Sequence, residues 1–416
     1  MKKLLTIILI SVLATACQST VQKNNEINQD NNELIDNSIT DASLTQDPWI
    51  FIQNQLIIDV PSNKRIQAEK EKLLKNKHLF EATLADSEPY IYYIVSQLQQ
   101  RNMPVELALI PLIESAYNPL ATSYSKAAGL WQIVPITARH YGLEKNRYYD
   151  PRRDLIESTE TALNLLEYLN QRFDGDWLLT LAAYNAGEGR VKQAMKWNQS
   201  KKLPTHYWAL NLSNETMRYV PKLLALIEII RENEDLNVTL PACKIKNGLI
   251  QITLTKQISL DKIAQYSGIP LEKLMAYNAG YLKRMVKGPY RLFIPTSEAP
   301  KLLERLKQEN FKNTKITNLL EATQLKSAEN QTIYDSEITN NKYLAITDND
   351  IHFYEQEHKR YSQIIYRIKS GDNLYSIAKK HKVKVSDLVK WNKIKNANKL
   401  KPGDKLAINI RNGSSR

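Results

Sequence analysis

Apolar positions fall into a short N-terminal run, one long dense block and two compact clusters, with polar stretches between them. The long block extends from about residue 47 to 240. Within it Leu155, Ile156, Ala162, Leu163, Leu166, Leu169 and Phe173 recur with the period of an α-helix, which predicts one over Asp154 to Phe173. Asp154, with Glu157 three residues on, has the form of an N-terminal cap. The same period at Leu178 to Tyr184 and at Val220 to Ile230 makes the block mostly α.

Beyond the block the pattern changes to short β-type runs: Leu249 to Thr255 and Arg291 to Ile294, then Ile364 to Ile368 and Lys405 to Ile408. Between the runs of each pair the spacing repeats. Ile263-Ala264, Leu274 and Asn278 correspond to Ile377-Ala378, Leu388 and Asn392, with intervals of 11 and then 4 in both copies. A strand, two short helices and a strand predict a small α+β (βααβ) module present twice, at 246–298 and 364–410. The polar span 311–360 reads as a linker.

The chain begins Met-Lys-Lys, continues apolar from Leu4 to Leu13 and reaches Ala14-Thr15-Ala16-Cys17, so residues 1–16 read as a secretory signal. Some ten apolar residues are too few to cross a bilayer. Residues 18–46, rich in Asn, Asp, Gln, Ser and Thr, predict a flexible tether. The run Leu13 to Cys17 resembles a bacterial lipobox, which implies that Cys17 is lipidated and opens the mature chain, 17–46 being its tether. Gln18 stands where an inner-membrane retention signal has Asp, so the resemblance implies a periplasmic protein anchored to the outer membrane. The alternative is a soluble secreted protein cut at the same site. With Cys17 lipidated, Cys243 has no partner for an intramolecular disulfide.

Composition adds exclusions. Gly is scarce, 12 in 416 residues, and there is no GxGxxG, GxxxxGK[ST] or GxSxG, so dinucleotide, P-loop and hydrolase-elbow readings have no support. The six His include no HExxH or other ligand pair, so neither a metal nor another cofactor is expected. The net charge of +13 invites a nucleic-acid reading, but residues 364–416 hold 14 Lys or Arg against 3 Asp or Glu, leaving only +2 for the rest. No basic stripe interleaved with stacking aromatics accompanies it, so nucleic acid is not an expected partner.

Candidate chemistry centres on Pro104 to Pro119, PVELALIPLIESAYNP. Pro119 disfavours helix at Asn118, which predicts a helix ending there with Glu114 in its last turn. Apolar neighbours and the negative end of the helix dipole both oppose a carboxylate, so Glu114 should have a raised pKa, as a general acid near neutrality requires. A solvated Glu beside a helix end is the alternative from this segment alone. Glu106, ahead of the apolar run, is expected to be solvated. Asp150, Arg152, Arg153 and Asp154 are expected to pin a helix start.

Glu114-Ser115, then Ser123, Gly129-Leu130-Trp131-Gln132, Ala183-Tyr184-Asn185-Ala186-Gly187 and Tyr219-Val220-Pro221-Lys222 resemble, in order, the motifs of the family-1 lytic transglycosylases. The resemblance covers about residues 47 to 240 and implies a mostly α, goose-type lysozyme-like SLT domain. It further implies cleavage of the MurNAc-β-1,4-GlcNAc bond of peptidoglycan with formation of 1,6-anhydromuramic acid. On that resemblance Glu114 is the single catalytic acid and base. Ser123 and Gln132 hold the muramic acid or its substituents, and Trp131 offers a face to a sugar ring. Gly129 permits close backbone approach, Tyr184 and Asn185 orient Glu114 and stabilise charge in the transition state, and Tyr219 lies beside the cleft. Ser115 is structural or faces the stem peptide. A hydrolytic muramidase of the same fold and a non-catalytic peptidoglycan-binding lipoprotein remain as alternatives. The string Ala-Tyr-Asn-Ala-Gly recurs at Ala276 to Gly280, where Asn278 reads as a helix-end residue.

The C-terminal copy, Tyr366 to Ala378 with Leu388, Asn392 and Leu400 to Leu406, resembles a LysM domain, which implies binding of N-acetylglucosamine-containing glycan. Carried over by position, the groove comprises Gly371, Asp372, Asn373 and Leu374 on one side and Lys393 and Ile394 on the other. The first copy has Lys256-Gln257 where the second has Gly-Asp, so it reads as a degenerate LysM-like module whose role is weak glycan binding or packing against the catalytic domain.

Overall fold

A computed structural model describes residues 47–311, 313–319 and 361–369, and then 372, 374–381, 383, 385–392, 394 and 402–411. Cys17, Gly371, Asn373 and Lys393 lie outside the described residues. The first helices are α1 (Pro48–Asn54), α2 (Lys64–Lys75), α3 (Lys77–Ala85) and α4 (Glu88–Gln100). A 3₁₀ turn (Val105–Leu109) then leads into α5 (Ile110–Ser115), followed by α6 (Pro135–His140), α7 (Leu155–Arg172), α8 (Trp177–Ala186), α9 (Glu188–Ser200) and α10 (Thr216–Arg231).

Local chemistry starts these helices where the sequence predicts. The Asp154 carboxylate accepts from the amides of Ile156 and Glu157 at 2.9 and 3.0 Å, opening α7, and Asp176 accepts from Leu179 at 3.0 Å, opening α8. Of the reciprocal cap proposed at Asp154 only this half forms, because Glu157 turns outward to Arg291. Helices α4 and α10 are buried over most of their surface: Tyr90 to Leu98 are all buried, and so are Leu223, Leu224, Ile227, Ile229 and Ile230. At about 1.5–3 kcal/mol for each large apolar side chain, burial on this scale holds the domain together. Among the described residues no disulfide helps, since Cys243 is buried as a free thiol. Helix α2 lies along α10, and Lys70 joins the two by bridging Glu228 at 2.8 Å and Glu232 at 2.7 Å.

The first β module consists of β1 (Leu249–Thr253), β2 (Ile258–Ser259), α11 (Leu260–Ser267), α12 (Leu271–Tyr277), β3 (Met285–Val286) and β4 (Arg291–Pro295). Strands β1 and β4 are antiparallel, with Ile252 opposite Leu292. The module is larger than the repeat suggests. Helix α13 (Ala299–Gln308) packs Leu302 and Leu306 into its core, and β5 (Lys315–Thr317), inside the span expected as linker, pairs with the free edge of β1. In the second module β6 (Tyr361–Arg367) and β7 (Lys405–Arg411) pair antiparallel, with α14 (Leu374–Lys380) and α15 (Val385–Trp391) between them.

The repeated Asn does the same work twice. Asn278 follows the last residue of α12; its side-chain amide donates to the carbonyls of Leu274 and Phe293 while its oxygen accepts from the Phe293 amide. Asn392 likewise joins Leu388 to Ala407. An amide that both donates and accepts is suited to tying a helix end to a strand, and this explains the conserved interval in the two copies.

The first module is docked on the helical domain. Asp150 donates its amide to Gly280 O at 2.9 Å, Leu282 donates to Tyr148 O at 2.7 Å, and a Cβ on Gly280 would stand 2.7 Å from the Tyr149 ring. Arg291 donates to Glu157 Oε1 at 2.7 Å and lies 3.5 Å from Asp154 Oδ2, the oxygen that also accepts from Tyr149 Oη at 2.6 Å. One carboxylate thus caps α7 and anchors the module. The second Ala-Tyr-Asn-Ala-Gly string therefore supplies a helix end and a docking contact, and no part of the cleft described next.

Candidate active site

Glu114 is the penultimate residue of α5. The helix stops at Ser115, three residues before Asn118, because Ala116 and Tyr117 both take left-handed backbone angles, with φ of 53° and 55°. Tyr117 is buried and donates its hydroxyl to Ala108 O at 2.8 Å, which holds the reversal. Glu114 is thereby placed on the wall of a cleft of about 580 Å³ lined also by Ser123, Gln132, Tyr184, Asn185, Arg190, Arg218, Tyr219 and Lys222.

Burial raises the Glu114 carboxyl to about 7, against the pull of a hydrogen bond from Tyr219; nearby Glu215 adds to the rise and Lys222 opposes it. Tyr219, on α10, donates its hydroxyl to Glu114 Oε1 at 2.8 Å. Its own pKa is driven well above the ordinary value, first by burial and then by the Glu114 charge, so it remains a donor throughout the working range. The role expected of Tyr184 and Asn185, orienting the acid, therefore falls to Tyr219. Tyr184 donates instead to Trp131 O at 2.9 Å. Asn185 Oδ1 accepts from Thr216 Oγ1 at 2.8 Å, which leaves its amide N–H groups as the donors it can offer a ligand.

Trp131 requires correction. Its side chain is fully buried and its indole N–H donates to Thr159 Oγ1 at 3.0 Å, so no face is open to a sugar. Its signal, an aromatic next to the cleft residue Gln132, does not distinguish stacking platform from core. Gly129 does permit a close backbone approach, but the approach is to the Arg152 carbonyl and not to a ligand: a Cβ there would lie 2.0 Å from Arg152 O. Ser115 is structural, donating to Leu130 O at 2.8 Å. Ser123 accepts from the Ala127 amide at 3.0 Å, and Gln132 Nε2 donates to Gly129 O at 2.8 Å; both side chains shape the loop and also line the cleft.

The charged turn does more than start a helix. Arg152, salt-bridged to Asp150 at 2.8 Å, donates to the carbonyls of Lys126 and Ile133, while Arg153 donates to those of Pro119 and Ala121. Two guanidiniums thus hold the segment after Glu114 and the Gly129 loop in one arrangement. Glu106 is also corrected: it is fully buried, its Oε1 accepting from the amides of Ile57 and Ile58. Glu69 was not legible as a cleft residue. It lies on α2, and although burial alone would raise its carboxyl, ion pairs with Arg218 and Lys72 hold it below its ordinary value.

In the second module Asp372 Oδ2 accepts from the Lys369 amide and from Tyr366 Oη, at 2.8 and 2.7 Å, and so is occupied in forming the turn. Leu374 is buried with Ile368, Ile377, Leu388, Leu406 and Ile408, which removes its side chain from any groove, and Ile394 packs against the same core.

Replacing Tyr219 with Phe removes the donor that stabilises the Glu114 carboxylate. A hydrogen bond to a charged group is worth about 1.5 kcal/mol, so the alkaline limb of the pH–activity profile should move to higher pH by roughly 1, with lower turnover from a less well oriented acid. A pH profile of Tyr219→Phe with an unmoved alkaline limb would remove Tyr219 from this role.

The Transglycosylase SLT domain family matches residues 91–206, the LysM domain family residues 366–409, and the family described as Lytic transglycosylase MltD, LysM-like domain, residues 248–310. Membrane-bound lytic murein transglycosylase D of Escherichia coli K12 is 36% identical over 394 residues, covering 88% of this chain and 86% of that protein. The soluble lytic murein transglycosylase of the same strain is 34% identical over 118 residues, 27% of this chain and 18% of its own. Among solved structures, the 70 kDa soluble lytic transglycosylase of E. coli aligns at 19% identity with a TM-score of 0.28, over 50% of this chain and 44% of that one. The helical SLT domain and the two βααβ modules are those the sequence predicts, and the chain belongs to the family of membrane-bound lytic murein transglycosylase D.

Proposed function

We propose that this chain cleaves the MurNAc-β-1,4-GlcNAc bond of peptidoglycan and leaves a 1,6-anhydromuramic acid end. The observation that carries the reading is Glu114, a carboxyl raised to about 7 within a glycan-sized cleft. Near neutrality a substantial fraction is protonated, so Glu114 donates its proton to the glycosidic oxygen as that bond breaks. The resulting carboxylate takes the proton of the muramic acid 6-hydroxyl, whose oxygen bonds C1. No water enters, and the internal hydroxyl supplies the proximity that a second reactant would lack. Asn185 is placed to donate to sugar substituents, and Gln132, whose amide nitrogen donates to Gly129 O and Ala121 O, offers its side-chain oxygen as an acceptor. Two other cleft carboxylates are already engaged, Glu69 by Arg218 and Lys72, Glu188 by Arg172 and Lys192, so neither is a free nucleophile for the two-carboxylate route.

Glu215 favours a second reading. It lies close enough to raise Glu114 and could activate water, giving a muramidase. Mass spectrometry of digested sacculi decides: anhydro ends support transglycosylation, and reducing ends alone support hydrolysis.

The cell-envelope location extends, in this proposal, to outer-membrane anchoring through lipidated Cys17. Cys17→Ala should move the protein from the membrane to the soluble fraction. The second module holds the enzyme on the wall, aided by the +11 charge of residues 364–416, which attracts stem-peptide carboxylates. Sacculus pull-down of the full chain should weaken as salt rises toward 0.5 M, since exposed charges are screened beyond a few ångströms there. A flat response would make the charge incidental.

A further inference from the structure

Helix α9 begins at the cleft: Gly187, Glu188, Gly189 and Arg190 all line it. One side of the helix is spent on the domain. Val191 and Asn198 are buried, and Asn198 donates to the carbonyls of Pro204 and Ala209. The flank of Glu188 and Lys192 is spent on Arg172 and on each other. Arg190 and Trp197, seven residues apart, share the remaining flank, since seven residues return the helix to within about 20°. Trp197 is 55% exposed, a large aromatic side chain open to solvent. It lies about 10 Å along the helix from Arg190, close to the length of one disaccharide.

We infer that this flank of α9 is a glycan subsite outside the catalytic cleft, with Trp197 as a stacking platform for a sugar of a strand that continues from the cleft past Arg190. The inference rests on the proposed peptidoglycan reading and names where longer substrate goes. Continuity with the cleft supports it, because the helix that carries Trp197 forms part of the cleft wall. Charge supports it as well. Lys196, Lys201 and Lys202 are exposed around the indole, and they match the carboxylates of stem peptides on each muramic acid. An indole with one apolar face open to water is the side chain best suited to the C–H face of a pyranose ring.

The test uses the full chain and purified glycan oligomers of two and of six disaccharide units. Trp197→Ala should raise KM for the longer oligomer about tenfold, the equivalent of about 1.4 kcal/mol, with kcat within twofold and with kinetics on the short oligomer unchanged. Trp197→Phe should recover most of the loss. Equal KM on the long oligomer overturns the subsite, and so does an equal loss on both lengths, which would signal a structural effect. Wild-type failure to form anhydro ends would instead overturn the reading beneath it. Binding of the long oligomer to Glu114→Gln, with and without Trp197→Ala, then still reads the subsite: about tenfold weaker binding without the indole keeps it, and equal binding removes it.

Discussion

Glu114→Gln should abolish release of anhydro-muropeptides from sacculi, by about 10³-fold or more, while the protein still folds and still sediments with the wall. General acid–base catalysis alone contributes about 10²–10⁴, and here one carboxyl does both steps, so no second group compensates. A glutamine keeps the shape and can still accept from Tyr219 Oη, but it has no proton to give to the glycosidic oxygen. The same variant has a thermodynamic signature. The Glu114 carboxyl is raised from 4.5 to about 7 by burial, so the native state resists ionising it. Below pH 4.5 both folded and unfolded chains hold the proton and there is no penalty. Between 4.5 and 7 the unfolded chain ionises first, and above 7 the full cost of up to about 3 kcal/mol is present. Glu114→Gln should therefore be more stable than wild type at pH 8 and equal to it at pH 4. Undiminished cleavage would show that Glu114 is not the acid, and a stability gain that does not depend on pH would show that its carboxyl is not strained by burial.

How much of this was legible in the sequence depended on the range of the physics involved. Helices α7, α8 and α10 follow from local periodicity and lie within a few residues of their expected limits; the paired modules follow from spacing, but the first runs on through α13 and β5, past its expected end at 298. Glu114 was legible in part: its neighbours suggest burial and a nearby helix end, but that segment alone left a solvated Glu open, and it was the ordered motifs of the family resemblance that singled it out. What failed were statements about direction and about partners distant in the chain. Trp131 and Glu106 read as ligand-facing and solvated, yet both point inward, since a single apolar or charged letter does not say which side of a turn it occupies. The link from Tyr219 to Glu114 spans 105 residues and that from Arg218 to Glu69 spans 149, separations at which no sequence pattern operates. Glu69 in particular lies on a strongly polar helix, and only the packing of α2 along α10 brings it to the cleft.

Gly129→Ala is expected to be the most damaging single-methyl change in the catalytic domain. Gly129 has φ of +84°, where an alanine costs about 1–2 kcal/mol, and its added carbon would lie 2.0 Å from the Arg152 carbonyl oxygen. That oxygen cannot swing aside as a side chain would. Arg152 is fixed by Asp150, by the carbonyls of Lys126 and Ile133 and, through the Asp150 amide, by the docked β module. Relieving the clash therefore displaces either the turn before α7 or the loop bearing Gln132 and Ser123, adding about 1–3 kcal/mol, and either displacement deforms the cleft wall. Together these give a loss of about 2–5 kcal/mol, or roughly 10 °C in melting temperature for a domain of this size. Gly142→Ala is the matched control, because Gly142 has φ of +72° but no atom within 4 Å of the added carbon. It should lose only the backbone term, about 1–2 kcal/mol, and retain activity. Thermal unfolding and anhydro-muropeptide release measured on both variants separate the two contributions. If Gly129→Ala and Gly142→Ala melt together and cleave alike, the contact between the Gly129 loop and the Arg152 turn does not hold the cleft in shape.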